Sequence, residues 1–191
     1  LNFAAAFLAR QGEVERARTL LGKAAAAKPG DATTMLNWAR IESANGNFGV
    51  AEERLAKALK IDPQNQTALF GLAQLAIKRR DSAAATRLLE DLRKRDAKAV
   101  TPRLELVRIY LRENQPLKAQ ELVREALAAA PNRAEVRSAL GLMYLEANRY
   151  EEALAQFREA TGLEPRNARH WMNMAHAQLA LQLADLQAYR R

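Results

Sequence analysis

Apolar and polar positions follow a helical period in stretches of about a dozen residues, broken at regular places along the chain. Met35, Trp38, Ala39 and Glu42 fall at i, i+3, i+4 and i+7. The pattern breaks at Asn45-Gly46-Asn47 and resumes with Phe48, Ala51, Leu55, Ala58 and Ile61 before Pro63. Such spacing predicts a helix, a tight turn and a second helix antiparallel to the first. The same signals return in Leu69, Leu72, Ala73, Ala85, Leu89 and Leu92, then in Leu106, Val107, Tyr110, Ala119, Val123, Ala126 and Pro131. They are clearest in Leu140, Gly141, Tyr144, Ala153, Phe157, Ala160 and Pro165. Ala17, Ala51, Ala85, Ala119 and Ala153 share one phase of a 34-residue period, and Pro29, Pro63, Pro131 and Pro165 share another, with Ala97 as the gap. A fixed period of this size predicts a solenoid in which each helix pair buries its apolar face on its neighbours.

The period divides the chain into a single array with repeats at 32–65, 66–99, 100–133 and 134–167, a partial first repeat at 1–31 and a partial last one at 168–191. Because the chain opens at Leu1 in mid-repeat, it is expected to be a fragment of a larger protein. Pro29-Gly30 closes the first repeat and Asp31 suits the next helix N-cap. In the third repeat Arg80-Asp81 stands at the turn and Ala97 replaces the proline. Its second helix is therefore expected to run long, with Thr101-Pro102 opening the next. From Trp171 onward there is no Gly or Pro, and Asn173 is the one Asn. That predicts either one long terminal helix or a turn shortened near 182–185, in a repeat cut off before its second helix is complete.

Composition narrows the function. The apolar fraction is 49 % but aromatics make up only 6 %, so small residues dominate and favour close helix approach over a large cavity. Cys is absent, which excludes thiolate catalysis, disulfides and Cys-based metal sites. No apolar run in these residues reaches the length of a membrane span or has the pattern of a signal peptide, and a targeting segment upstream of Leu1 would not be seen. His170 and His176 lie six residues apart, not a chelating spacing, and are expected on the surface or in a groove. Glu151-Glu152 begins a second helix, where carboxylates suit the dipole rather than catalysis. No phosphate loop or nucleophile–base arrangement occurs. The expectation is a non-enzymatic chain with no cofactor and no metal.

Charge changes that picture. The net charge is +8, and 78–112 holds Lys78, Arg79, Arg80, Arg87, Arg93, Lys94, Arg95, Lys98, Arg103, Arg108 and Arg112 against five acids. A basic balance of this kind fits an acidic peptide, an anionic polymer or a nucleic acid. No base-stacking aromatics are interleaved with these residues, which disfavours nucleic acid.

These columns resemble the tetratricopeptide repeat (TPR) family. Its 34-residue unit has large apolar residues at positions 4, 7 and 11, small ones at 8, 20 and 27, a bulky residue at 24 and Pro at 32. The residues 134–167 supply Leu140, Gly141, Tyr144, Ala153, Phe157, Ala160 and Pro165 at positions 7, 8, 11, 20, 24, 27 and 32. Arg103 and Arg137 at position 4, Glu42 and Gln178 at position 11 and Ala97 at position 32 depart from it and are expected to weaken single helix contacts. The resemblance implies an all-α, right-handed superhelical solenoid of antiparallel helix pairs, a scaffold that binds a peptide or protein segment in its concave groove, within a bacterial multiprotein assembly. It places the first helix of each pair, helix A, on that groove. Carried onto this sequence, the groove residues include Arg40, Phe70, Gln74, Lys78, Leu104, Arg108, Arg112, Leu142, Glu146, Met172 and His176. Arginines there would pair with carboxylates of the segment. The Lys and Asn pattern of chaperone-binding TPRs is missing, since position 5 is Leu36, Phe70, Leu104, Ser138 and Met172. The period also differs from the 35 residues of the RNA-reading pentatricopeptide family. The Ala- and Arg-rich texture is similar to bacterial TPR proteins of exopolysaccharide export and PEP-CTERM sorting. That similarity keeps a second reading open, an anionic-polysaccharide binder in a secretion system. The compartment is periplasmic if it holds and cytoplasmic otherwise.

Overall fold

The computed structural model describes Leu1–Tyr189, and every regular element among those residues is an α-helix. In order they are α1 (Asn2–Arg10), α2 (Val14–Ala27), α3 (Ala32–Ala44), α4 (Phe48–Ile61), α5 (Gln66–Lys78), α6 (Ser82–Arg95), α7 (Val100–Arg112), α8 (Pro116–Ala129), α9 (Ala134–Glu146), α10 (Tyr150–Leu163) and α11 (Ala168–Tyr189). From α3 onward the odd-numbered helices begin 34 residues apart, as do the even-numbered ones from α2. The period read from alanines and prolines is thus the period of the helix pairs. The chain falls into two compact units, Leu1–Leu92 (unit 1) and Arg93 onward (unit 2).

Each turn between the helices of a pair needs one left-handed residue, and the period places it at Gly12 (φ 82°), Gly46 (φ 79°), Arg80 (φ 61°), Asn114 (φ 56°) and Asn148 (φ 56°). Gly adopts this conformation freely and Asn with little strain, whereas Arg80 bears the full Cβ clash. After the turn at Arg80, the Asp81 carboxylate accepts the Ala84 N–H at 3.0 Å and so caps α6. Asp31 likewise caps α3 by accepting from the Thr33 and Thr34 N–H groups.

Two expectations about boundaries are resolved. The second helix of the third repeat does not run long: α6 has the same 14 residues as α2, α4, α8 and α10. It stops because Asp96 takes over the loop, its side chain accepting the Lys98 N–H at 2.8 Å and its carbonyl the Ala99 N–H at 3.1 Å. The next helix then starts at Val100 behind an Ala99 N-cap, so Pro102 is its third residue rather than its opening. At the other end α11 is one helix of 22 residues without a turn at 182–185. The left-handed position of the period falls there on Gln182, followed by Leu183, which cannot cap a new helix.

Small residues allow the helices to approach. In unit 1, Ala5, Ala17, Leu21 and Ile41 form one buried cluster, and Met35, Ala39, Ala51, Leu55, Ala58, Ala68 and Leu75 form another, with Trp38 packed against both. In unit 2, Ala153, Leu154, Phe157 and Ala177 form one such cluster. Gly141 sits so close to Phe157 that a Cβ there would lie 2.6 Å from the ring.

At positions 11 and 4, Glu42 and Arg103 do not loosen the packing as expected but are buried, satisfied polar centres, whereas Gln178 is exposed. Glu42 is 1 % exposed. It accepts Arg18 Nε at 2.8 Å and Nη2 at 2.6 Å, Trp38 Nε1 at 3.0 Å and Asn47 Nδ2 at 2.9 Å. Arg54 in turn stacks on Trp38, 3.9 Å from the centroid of its ring. Arg103 is 6 % exposed and donates to Glu125 Oε2 at 2.8 Å, to the Ala97 carbonyl at 2.8 Å and to the Ala99 carbonyl. Arg137 repeats the device one period later, pairing with Glu159 at 3.2 Å and donating to the Pro131 carbonyl at 3.0 Å. A buried charge with this many partners tightens the contact it occupies, because each lone pair or N–H that left water has been replaced.

Candidate functional site

In unit 1, α3 and α5 lie side by side and leave a recess of about 490 Å³ between them. Thr33, Leu36, Arg40 and Ser43 come from α3; Thr67, Phe70 and Gln74 come from α5 at the same places in the repeat as the first three, and Lys78 lies one place beyond that of Ser43. Four of the predicted groove residues, Arg40, Phe70, Gln74 and Lys78, are therefore brought together. The floor was not foreseen: Ala39, Leu55, Gly71 and Leu75. Gly71 matters there because a Cβ on it would lie 2.9 Å from the Leu55 side chain, so its absence lets α5 settle on α4. A signal for the floor did exist, since Leu55 occupies the bulky position 24 and Gly71 the position facing it.

The walls are half-buried apolar side chains and the rim is polar. Lys78 Nζ donates to Ser43 Oγ at 3.1 Å and lies 5.2 Å from the centroid of the Phe48 ring. Arg40 is exposed at the rim and has no ion pair among the described residues. No carboxylate lines this recess.

The groove helices of unit 2, α7, α9 and α11, border a hollow of about 710 Å³ lined by Glu105, Arg108, Glu135, Ser138, Leu142, Asn167, Arg169, His170 and Asn173, together with Ala139. It holds two of the predicted residues, Arg108 and Leu142. Its charges are largely spent on one another: Arg108 pairs with Glu105, and Arg133 with Glu135 at 3.0 Å. Bonds from Arg133, opposed by burial and aided by the nearby His170, hold the Glu135 carboxyl below its ordinary value. Asn173 Nδ2 donates to Ser138 Oγ at 3.0 Å across the hollow.

The remaining predicted residues lie elsewhere. Leu104 is 4 % exposed and belongs to the interior, not to an open groove wall. Arg112, Glu146, Met172 and His176 line neither hollow. Of the two histidines expected on the surface or in a groove, His176 is exposed and His170 lines the unit 2 hollow at 2 % exposure, with Nε2 3.2 Å from Glu164 Oε2 and 3.1 Å from Asn167 Nδ2. Within the basic run at 78–112, Arg79 pairs with Glu52 at 2.6 Å and Arg93 and Arg103 share Glu125, while Arg80, Arg87, Lys94 and Lys98 are exposed. A further hollow of unit 2, about 720 Å³ between α8 and α9, was not foreseen; Leu117, Leu127, Leu140, Met143 and Tyr144 line it. Among the described residues no cluster of His, Asp and Glu could hold a metal, and no helix is long and apolar enough to cross a membrane.

Comparison with known proteins agrees with this architecture. The chain is similar in structure to the APC/C hetero-tetramer Cut9–Hcn1 (TM-score 0.79, 19 % identity), with 96 % of this chain matched but only 36 % of the other, so it spans about a third of that protein. It is similar to a thermophilic TPR protein of Thermus thermophilus over 94 % of this chain and 100 % of the other, at TM-score 0.73 and 23 % identity. YrrB, a TPR protein with an unusual peptide-binding site, matches at TM-score 0.64 and 20 % identity over 91 % of this chain and 88 % of its own. Identities this low establish the fold alone. No curated protein matches the sequence. Sequence profiles of the tetratricopeptide repeat match residues 42–101, and again 104–168 and 139–191, so that most of the chain is covered. With the 34-residue period, the paired helices and the left-handed turn residue recurring in phase, these matches establish that the chain belongs to the tetratricopeptide repeat family.

Proposed function

We propose that this chain is a non-enzymatic scaffold for protein–protein interaction that holds an extended or helical segment of a partner against its helix-A faces, with the recess between α3 and α5 as its main anchor. The observation that carries this reading is the recess itself, where the half-buried side chains of Leu36 and Phe70 stand over a floor of Ala39, Leu55, Gly71 and Leu75 between polar rims. Apolar ground of this kind, ringed by hydrogen-bonding groups, buries a partner's side chain and leaves its backbone bonds to the rim. The peptide-binding site of YrrB supports the reading by likeness of fold. The hollow of unit 2, taken by itself, offers polar groups such as Ser138 and Asn173 on its own helix-A faces. Participation in a larger multiprotein assembly follows from the same reading.

The anionic-polymer alternative draws less support. Such a ligand needs a row of unpaired cations; Arg79, Arg93, Arg103 and Arg108 have carboxylate partners, which leaves Arg80, Arg87, Lys94 and Lys98 as the exposed cations that would carry it. The test of the main reading is Phe70→Ala. Peptides selected on the whole chain are expected to bind this variant at least about ten times more weakly, as read by fluorescence anisotropy, with unchanged helical circular dichroism. Equal affinity for the variant would remove the recess as the binding site.

A further inference from the structure

Unit 1 and unit 2 present grooves of different charge, and the difference names a partner chemistry. The helices α3 and α5 carry a single carboxylate between them, Glu42, which faces away from solvent and is held by Arg18, Trp38 and Asn47. Nothing acidic therefore offsets the two cations at the rim. Lys78 is positioned by neutral partners, the Ser43 hydroxyl and the Phe48 ring, which orient the ammonium without neutralising it. Arg40 stands exposed on the facing helix without a carboxylate. In unit 2 the corresponding ground is lined by Glu105 and Glu135 as well as Arg108 and Arg169, and is balanced.

We infer that the α3–α5 recess takes an acidic segment of a partner protein: one aliphatic or aromatic side chain seated between Leu36 and Phe70, with neighbouring Asp or Glu carboxylates paired to Arg40 and Lys78. This inference rests on the groove reading above and adds to it the class of ligand. The physical reason is that ion pairs beside an apolar floor are less screened than pairs in bulk water, and a guanidinium fork or a pre-oriented ammonium gains most from a carboxylate. A basic or neutral segment would leave both cations uncompensated on binding, and so be disfavoured.

The experiment selects phage-displayed random dodecapeptides on the whole chain, then measures the enriched peptides by anisotropy at about 50 and about 300 mM salt. The expected consensus is one large apolar residue with Asp or Glu within about three positions of it, and affinity is expected to fall several-fold between the two salts. The double variant Arg40→Glu, Lys78→Glu is expected to lose at least about tenfold for these peptides while gaining affinity for versions with Lys in place of each acid. That gain is something a misfolded protein cannot show. Arg40→Gln with Lys78→Gln serves as the milder pair, expected to lose binding without a gain. Enriched peptides without acidic bias, or binding that survives both double variants, overturn the inference and leave the groove reading standing. A selection that enriches nothing, or only peptides indifferent to Phe70→Ala, overturns both.

Discussion

Unit 1 and unit 2 solve the same packing problem with opposite charges. In unit 1 a carboxylate, Glu42, is buried on helix A and receives a guanidinium from the preceding helix, α2. In unit 2 a guanidinium, Arg103, is buried on helix A and receives a carboxylate, Glu125, from its own partner helix, α8. Both take the place of an apolar residue, one at position 11 and one at position 4. The repeat thus accepts either sign in its interior, provided an adjacent helix supplies the counter-charge and the remaining polar atoms find partners. Arg137 with Glu159 shows the second solution copied one period on, and Trp171 Nε1 donates at 2.8 Å to the Pro165 carbonyl from the same position 4. Three successive repeats therefore use position 4 to hold the carbonyl of the loop before it: Ala97, Pro131 and Pro165.

The two tryptophans report separately on this comparison, Trp38 in unit 1 and Trp171 in unit 2. Removing the buried carboxylate by Glu42→Ala leaves the Trp38 and Asn47 donors without their acceptor and Arg18, 31 % exposed, with Glu15 alone, and is expected to cost about 3–5 kcal/mol because several donors lose one shared acceptor. Arg103→Ala leaves Glu125 32 % exposed to water and still paired with Arg93, so its cost is expected to be smaller, about 1–3 kcal/mol. Urea unfolding followed in single-tryptophan proteins checks both. If the two substitutions cost the same, the number of donors left without an acceptor is not what sets the strength of the two centres.

Acid sharpens the same contrast. The bidentate bonds from Arg18, with those from Asn47 and Trp38, outweigh burial and hold the Glu42 carboxyl below its ordinary value of 4.5. A carboxylate depressed in the folded state contributes stability that is present above its unfolded value and lost as pH falls through the folded one. Glu125 behaves alike: burial pushes it up, but Arg103 and Arg93 together bring it down. Stability of both units is therefore expected to drop below about pH 4.5. Glu42→Gln is expected to flatten that loss in the Trp38 signal only. Equal flattening in the Trp171 signal would show that the two units do not titrate independently.

Next in size is the pair of helix-A glycines. At Gly141 an added Cβ meets the Phe157 ring at 2.6 Å, and a fully buried ring cannot withdraw. Gly141→Ala is expected to destabilise unit 2 by about 1–3 kcal/mol. At Gly71 the neighbour is the end of a Leu55 side chain, at 2.9 Å, which can change rotamer. The helix propensity of Ala, worth about 1 kcal/mol over Gly, offsets that adjustment, so Gly71→Ala is expected to leave stability nearly unchanged while altering peptide affinity through the floor. Thermal unfolding of the two variants separates the cases, and a similar loss in both would contradict the distinction between ring and flexible chain.

The repeat, its period and its helix pairs were legible because they rest on many weak signals in phase: alanines where helices cross, bulky residues beside them, turn residues between. The groove was legible in part, through α3 and α5, where helix-A positions project Arg40, Phe70, Gln74 and Lys78 into one recess. Single charged residues at apolar positions were not legible. Whether Glu42 or Arg103 weakens a contact or anchors it depends on Arg18 and Glu125, at sequence distances of 24 and 22; the second pair recurs one period on as Arg137 and Glu159, but recurrence alone does not say that the two side chains meet. Opening of the α8–α9 hollow was hidden for a similar reason. In unit 1 the corresponding edge of α4 and α5 is spanned by Arg79 and Glu52, whereas the same places in unit 2 hold Ala147 and Gln120, so that edge has no bridge.

The smallest predicted effect lies at the turns, where the units again differ. Four of the five left-handed turn residues are Gly or Asn, and the fifth is Arg80, in unit 1. A residue with a long side chain in this conformation carries about 1–2 kcal/mol of strain. Replacing it with Gly removes the strain but adds about 0.5–1 kcal/mol of unfolded-state entropy, while Asn accepts the conformation without the full entropic penalty. Arg80→Asn is therefore expected to stabilise unit 1 by about 0.5–1 kcal/mol, slightly more than Arg80→Gly. Because Asp81 supplies the cap for α6, neither change disturbs the helix that follows. A rise in the unfolding midpoint read at Trp38, with none at Trp171, is the expected result. No rise, or a fall, would mean that the Arg80 side chain contributes contacts worth more than the strain it imposes.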